Sequence, residues 1–153
     1  MSEEPQVYVE VRKLYVNDLS LEVPHAPHIF REEQEHPEIA LNLAHEVIKL
    51  PEEKYHAVHL KLTVTAKEKD KTIYLVEVSQ GGVFEISGLT DEQQHHALNS
   101  YCLTILFPFA REVISNAIVK AGFPALYLAP VNFDAIYQER MQSANSNDGA
   151  GQQ

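Results

Sequence analysis

Residues 101–112, with the sequence YCLTILFPFARE, form the segment that most constrains how this chain can fold. Their apolar positions have helical spacing, and Pro108 interrupts the segment. No Asp, Glu, Lys or Arg occurs between Glu92 and Arg111, although the chain carries a net charge of −10. An uncharged helix of this kind has to be buried in a core, in a subunit interface or against an apolar ligand.

The length of 153 residues is typical of one domain that is large enough to bury a core. We expect a single domain over residues 1–142 and a disordered, polar tail over residues 143–153. The uncharged helix begins with the polar run QQHHALNSY, so it is not expected to span a membrane, and the opening MSEEPQ does not resemble a secretory signal. Cys102 is the single cysteine, which excludes an internal disulfide and favours a reducing compartment, the cytoplasm.

Alternating apolar residues predict four strands, at residues 7–23, 39–43, 58–66 and 73–78. The charged run KEKDK connects the last two strands as a hairpin, and Gln80, Gly81 and Gly82 end the fourth strand or insert a bulge. Because consecutive strands joined by short connections usually pair with each other, we expect an antiparallel meander.

Helical signals follow the strands. Thr90 and Gln93 have the spacing of a capping box, and Gly122 is a plausible stop for the helix. We expect one long helix of about 30 residues, bent at Pro108. A second, shorter helix is marked by Phe133, Ile136, Tyr137 and Met141. The predicted fold class is therefore α+β, a four-stranded antiparallel sheet with the helices packed on one face.

The fourth strand is apolar on both of its faces. Ile73 and Leu75 share one face, whereas Tyr74, Val76 and Val78 share the other. A single layer of helices covers only one of these faces. We therefore expect self-association to cover the other.

No residue pattern indicates a nucleophile, a cofactor or a metal. Neither the pair His25 and His28 nor the pair His95 and His96 has a recognised zinc spacing. Cys102 lies in an apolar run, which favours a core position over a reactive thiol. We therefore expect a binding protein with no catalytic residues, no cofactor and no metal.

Carboxylates are concentrated in the first third of the chain, where residues 1–53 hold 12 of the 22 Asp and Glu but 4 of the 12 Lys and Arg. Such a segment repels nucleic acid and favours a basic protein partner, although solubility alone is the simpler explanation from composition. Asp18, Glu22 and Glu77 are interpreted as part of a solvated strand face, because nothing apolar converges on them that would suit acid–base chemistry.

Five blocks of the sequence resemble the SecB family of bacterial protein-export chaperones. They read VNDLSLEVPHAPHIF (16–30), LTVTA (62–66), EVSQGGVFEISGL (77–89), YCLTILFPFAREVISNAI (101–118) and FPALYLAPVNFDAIY (123–137). The resemblance implies a homotetramer, a dimer of dimers with the long helices between the dimers. It also implies a cytoplasmic chaperone that binds unfolded precursor proteins, keeps them translocation-competent and delivers them to the SecA ATPase, with no direct membrane insertion.

The resemblance further implies roles for individual residues. The SecA-binding positions of the family match Asp18, Glu22, Leu75 and Glu77. The assembly positions match Tyr74, Val76, Val78 and Gln80. Alternation places the two carboxylates of the first strand on one face and the two residues of the fourth strand on one face, but it leaves open whether these are the same face.

Client contact is expected near the irregular PHAPHIF stretch and in the connection before the last helix. The candidates are Phe30, Ile39, Leu41 and Tyr127, and ordinary core packing is an equal alternative for each. Relatives can carry a tryptophan in the loop after PHVF, whereas this loop reads REEQEH and the chain has no Trp. That departure leaves one aromatic client contact of the family in doubt.

Two other functions stay open from the sequence. A curved sheet closed by a long helix can enclose an apolar cavity, which would suit a carrier of small apolar ligands. A SecB-like chaperone dedicated to one partner, such as a toxin, would share the fold and lack the SecA-docking face. The presence of all four SecA-binding positions favours the export chaperone.

Overall fold

The structure, a computed structural model, describes residues 6–150. Four strands come first: β1 (Tyr8–Glu22), β2 (Glu38–Lys49), β3 (Tyr55–Glu68) and β4 (Lys71–Ser87). They are followed by α1 (Asp91–His96), a π-helical turn (Ala97–Tyr101), α2 (Cys102–Lys120) and α3 (Phe133–Ala150). The predicted α+β class, an antiparallel sheet followed by a long helix and a shorter one, is confirmed.

The order of the strands across the sheet is β1-β4-β3-β2, so the predicted meander is wrong for β1. Strands β2, β3 and β4 do pair in sequence, but β1 lies beside β4 at the far edge. The connection between β1 and β2, which contains the 3₁₀ helix His28–Arg31, therefore crosses from one edge of the sheet to the other. This is a Greek-key order, and its two edge strands are β1 and β2.

The β3–β4 hairpin closes on Lys69 and Asp70, both of which have positive φ, 51° and 64°. Two consecutive residues in this region are the mark of a type I′ turn, whose twist matches that of the flanking strands. Strand β4 then continues through Gly81 and Gly82 to Ser87. The irregularities predicted near these glycines lie in β1 instead, where the register shifts at Arg12 and at Asn17.

The long helix begins at the predicted capping box. The Thr90 side chain accepts a hydrogen bond from the Gln93 N–H, and the Gln93 side chain accepts one from the Thr90 N–H. Pro108 lies inside α2, and the helix continues past it. The hydrogen-bonding pattern changes at the π-helical turn Ala97–Tyr101, which the sequence did not predict.

The hydrophobic core lies between α2 and the sheet face that α2 covers, here called the inner face. Every second residue of β3 and β4 points into it, and each fully buried Leu or Ile contributes about 1.5–3 kcal/mol of transfer free energy. The fully buried members from the sheet and the helix include Val58, Leu60, Leu62, Val64, Val76, Val78, Phe84, Leu106, Ile114 and Ile118. Cys102 is also fully buried, which confirms the predicted core position.

The opposite sheet face, here called the outer face, is largely polar and needs less cover than the sequence indicated. Ile73 does not belong to it. Ala66 pairs with Tyr74 and Lys67 pairs with Thr72, so Ile73 is an extra residue at a bulge, and its buried side chain joins Ile29 in the hydrophobic core. Leu75 is half-buried among polar neighbours of the same face, Thr65 and Glu77. The prediction that Ile73 and Leu75 share one face is therefore wrong, and β4 does not present a second apolar face that a partner would have to cover.

Helix α3 runs to Ala150, so it includes residues 143–150 of the tail that the sequence predicts to be disordered. Residues 142–145 are exposed, so this part of the helix does not pack on the rest of the protomer. Residues 151–153 of the predicted tail lie outside the described residues.

Candidate functional site: an acidic outer face and an apolar groove

The pairing of β1 with β4 brings the four predicted SecA-binding positions onto the outer face. Glu22 lies directly opposite Leu75, and Ser20 lies opposite Glu77. Side chains directly opposite each other in an antiparallel pair project from the same face of the sheet. Since Asp18 and Glu22 alternate with the inner residues Leu19 and Leu21, all four positions share one surface.

A bulge in β1 is the local cause of this arrangement. Val16 pairs with Gln80 and Asp18 pairs with Ser79, so Asn17 is an extra residue between the two pairs. In a regular strand, residues 16 and 18 would share a face. The extra residue moves Asp18 and Glu22 to the outer face while Val16 stays on the inner one.

Glu77 is the best-connected carboxylate of this surface. Its Oε1 lies 3.0 Å from Lys61 Nζ, and its Oε2 accepts a hydrogen bond of 3.1 Å from Thr63 Oγ1. The hydrogen bond from the Lys61 ammonium has the largest effect and lowers the pKa of Glu77; burial opposes it, and the Thr63 hydroxyl adds a smaller lowering effect. Within residues 6–150, neither Asp18 nor Glu22 belongs to an ion pair, so both present free carboxylates to solvent.

A shallow basin of about 600 Å³ extends this acidic surface across the sheet from β1 to β2. Its charged lining consists of three carboxylates, those of Asp18, Glu46 and Glu77, and one cation, Lys61. His59, which also lines the basin, is held by a hydrogen bond of 2.7 Å between its Nε2 and the Tyr15 hydroxyl. The surface as a whole suits a cationic segment of a partner.

The four predicted assembly positions are buried in the protomer. Tyr74, Val76, Val78 and Gln80 face inwards and are 6%, 0%, 0% and 3% exposed. The Tyr74 ring packs on Phe123, 5.2 Å between centroids. Their side chains therefore support the core under α2, and any effect on assembly would be exerted through that core.

Apolar residues that the sequence analysis did not select are exposed instead. Strand β1 carries a row of them on its inner face, Val11, Val16, Leu19 and Leu21, which are 38–48% exposed. The long helix exposes Tyr101, Phe109 and Val119 within an arc of about 80° at 100° per residue. The Greek-key order explains the first group, because α2 packs on β3 and β4 and leaves the edge strand β1 only partly covered.

Three of the four predicted client positions are exposed. Phe30, Ile39 and Tyr127 are 50%, 41% and 84% exposed, whereas Leu41 is partly buried against the core. Phe30 packs on Phe123, 5.3 Å between ring centroids, so it belongs to an aromatic row with Tyr74. Tyr127 projects from the connection before α3 and has no aromatic neighbour among the described residues.

An apolar groove between β2, the π-helical turn and α3 was missed by the sequence analysis. A cavity of about 110 Å³ lies in it, smaller than the roughly 150 Å³ cavity known to take up benzene. Its apolar lining includes Leu43, Leu60, Leu103, Phe133, Ile136 and Met141. The groove exists because β2 forms the sheet edge next to α3, a relation that depends on strand order.

Histidines fix α3 over this groove. His95 Nδ1 lies 2.8 Å from the Tyr137 hydroxyl, and His96 stacks on the Tyr137 ring while its Nε2 lies 2.5 Å from Asp134 Oδ1. On the sheet side, His45 Nε2 lies 2.8 Å from Asn99 Oδ1. These contacts give His45, His95 and His96 packing roles beside the groove.

Cys102 is a free cysteine that is buried in the hydrophobic core. Burial raises the pKa of the Cys102 thiol to about 12, which keeps it neutral and unreactive at physiological pH. In the part of the chain that the structure describes, no group of three or more His, Cys, Asp or Glu side chains is placed to hold a metal ion.

The long helix Asp91–Lys120 is, by length and composition alone, apolar enough to cross a membrane. However, 44% of its most apolar 18-residue window is buried inside the protein. The core helix of a globular domain has the same character, and the packing of α2 on the sheet agrees with that role.

Comparison with known proteins gives a consistent result. The family model described as SecB, preprotein translocase subunit SecB, matches residues 2–144. A protein named protein-export protein SecB from Dichelobacter nodosus is 55% identical over 97% of this chain and 96% of its own length. Proteins of the same name from Nitrosococcus oceani and Neisseria meningitidis serogroup B are 49% and 45% identical over 95% and 94% of this chain, and over 88% and 97% of their own lengths.

Among solved structures, a SecB-like chaperone from Mycobacterium tuberculosis, in complex with a peptide from an antitoxin, has the same fold. The TM-score is 0.67 at 15% identity, and the match covers 80% of this chain and 90% of the other.

Proposed function

This chain belongs to the SecB family, and on that premise we propose that it binds precursor proteins in unfolded form in the cytoplasm, keeps them competent for translocation and delivers them to SecA. It is a chaperone of protein export, as the match over residues 2–144 and the relatives at 43–55% identity support. The observation that carries the delivery step is the pairing of β1 with β4, which unites Asp18, Glu22, Leu75 and Glu77 on the outer face.

Two features support binding of an extended client. The edge strand β2 has unpaired backbone groups along one side, to which an extended chain can add as a further strand. The groove beside β2 offers an apolar cavity, and Phe30, Ile39 and Tyr127 offer exposed apolar surface. Several weak contacts of this kind act together through effective concentration, which suits a chaperone that has to release its client.

Charge complementarity supports docking of SecA on the outer face. The free carboxylates of Asp18 and Glu22, together with Glu77, form an acidic surface around the half-buried Leu75. A basic segment of SecA would be steered to this surface, with an affinity that falls as salt rises. Nothing in this step requires catalysis by the chaperone.

We also propose a homotetramer, a dimer of dimers. The exposed row of β1 and the exposed stripe of the long helix supply two separate apolar surfaces, and an edge strand with such a row is a natural site of self-association. Tyr74, Val76, Val78 and Gln80 would then influence assembly by supporting the core beneath these surfaces.

The relatives favour this function over the two alternatives, a carrier of small ligands and a chaperone dedicated to one toxin, because all three named above are protein-export proteins. The direct test mixes the protein with one secretory precursor, either unfolded by denaturant dilution or fully folded. We expect complex formation with the unfolded precursor alone and slower aggregation of that precursor. Equal binding of the folded precursor, or no effect on aggregation, would contradict the proposal.

A further inference from the structure

The acidic outer face would attract a cationic segment of a partner. It nevertheless already contains a cation of the protomer itself, Lys61. Lys61 belongs to β3, where it pairs with Ser79 on β4 and with Ala44 on β2. Its Nζ reaches Glu77 Oε1 at 3.0 Å, while Thr63 holds the other carboxylate oxygen. Glu77 therefore already has a cationic partner within the protomer.

Carboxylates outnumber ammonium groups among the side chains that line the basin. The basin is lined by the carboxylates of Asp18, Glu46 and Glu77 and by this one ammonium group, which is paired with Glu77. A cationic segment that settles in the basin gains from the three carboxylates but is repelled by Lys61. Such a segment and Lys61 compete for the same oxygen of Glu77.

The ion pair between Lys61 and Glu77 is weak enough to be exchanged. The two side chains are 50% and 30% exposed, and exposed pairs of this kind are worth little because water and salt screen them. The Thr63 hydroxyl would keep Glu77 oriented after Lys61 has left, since it contacts the other oxygen.

We propose that Lys61 is a resident counter-ion of the docking face, which a basic segment of SecA displaces from Glu77, so that Lys61 weakens docking and keeps it reversible. This inference rests on the proposed docking of SecA at the outer face. It adds Glu46 and Lys61 to the residues that the partner meets, and it places the cationic side chain of the partner between Asp18 and Glu77.

The test is the affinity of purified SecA for the full-length chaperone carrying Lys61→Met, measured by calorimetry at low and at high salt. We expect binding to be roughly two- to fivefold tighter at low salt, with the gain shrinking as salt rises. Lys67→Met is the matched control, because it removes the same charge from an exposed position farther along β3 and should change the affinity less. Lys61→Arg keeps the charge and should bind SecA as the unaltered protein does.

Equal effects of Lys61→Met and Lys67→Met, or weaker binding of Lys61→Met, would overturn the role of Lys61. Charge reversal of Asp18 and Glu77 separates this failure from failure of the docking face itself. If the reversal abolishes SecA binding while the two lysine variants behave alike, only the counter-ion role is wrong. If the reversal leaves SecA binding intact, both proposals are wrong.

Discussion

Leu19 of β1 lies directly opposite Val78 of β4 on the inner face, yet Leu19 is 48% exposed and Val78 is fully buried. The difference marks the limit of the cover that α2 provides, because this helix packs on β3 and β4. A mutation of Val78 should therefore affect the core of the protomer, whereas a mutation of Leu19 should affect its association with other copies.

Arginine at position 78 is expected to destabilise the protomer itself. A charge without a partner in the core costs about 3–5 kcal/mol, so Val78→Arg should lower the free energy of unfolding by an amount of this order. Leu19→Arg should change that free energy by less than about 1 kcal/mol, since its charge reaches water, and should reduce the mass in solution. Urea unfolding and light scattering of both variants make the comparison. A stable Val78→Arg protomer of reduced mass would instead place Val78 at the assembly interface.

Gly81 is expected to be required by its contact with Tyr15. A Cβ atom at position 81 would overlap the Tyr15 ring, whose hydroxyl is hydrogen-bonded to His59 Nε2 at 2.7 Å. Gly81→Ala should therefore cost about 1–3 kcal/mol of stability, measured by urea unfolding. In a Tyr15→Ala background the same substitution should cost clearly less, because the overlap is gone. Equal costs in the two backgrounds would show that the ring is not the cause.

The acid stability of the fold should depend on Glu85. Hydrogen bonds from Tyr55, Tyr8 and Arg12 lower the pKa of this carboxyl from 4.5 to about 2. A lowered pKa in the folded state means that the ionised carboxylate stabilises the fold at pH above 4.5, and that this contribution is lost as the pH falls towards 2.

Glu85→Gln should therefore be less stable than the unaltered protein at neutral pH, with a difference that shrinks as the pH falls from 4.5 towards 2. Denaturant unfolding at several pH values measures it. Glu10→Gln is the control, because Glu10 pairs with the same Arg12 guanidinium at 2.8 Å but from an exposed position. A pH-independent difference for Glu85→Gln would rule out the ionised carboxylate as its source.

Local patterns predicted the elements of this fold well. The capping box of Thr90 and Gln93 and the alternation along β3 depend on neighbours in sequence, and both are confirmed. The position of β1 beside β4 was not predicted, since alternation shows which residues share a face of one strand and not which strand lies next to it.

The same distinction applies to the candidate site. The pairs Asp18 with Glu22 and Leu75 with Glu77 follow from alternation, but their common face depends on the strand order and on the bulge at Asn17. The groove beside β2 depends on strand order too, and Lys61 reaches Glu77 only because β3 lies next to β4. Contacts between residues far apart in the sequence therefore form the site, and the sequence patterns alone did not determine it.

The measurement that tests the account most directly is the affinity of SecA for the chaperone carrying Asp18→Lys together with Glu77→Lys. Glu52→Lys together with Glu53→Lys is the control, since it makes the same change of charge at exposed positions between β2 and β3. We expect the first variant to lose at least about tenfold in SecA affinity while it keeps its mass and its binding of unfolded precursor, and the control to keep all three. Unchanged SecA affinity in the first variant, or an equal loss in the control, would contradict docking on the outer face.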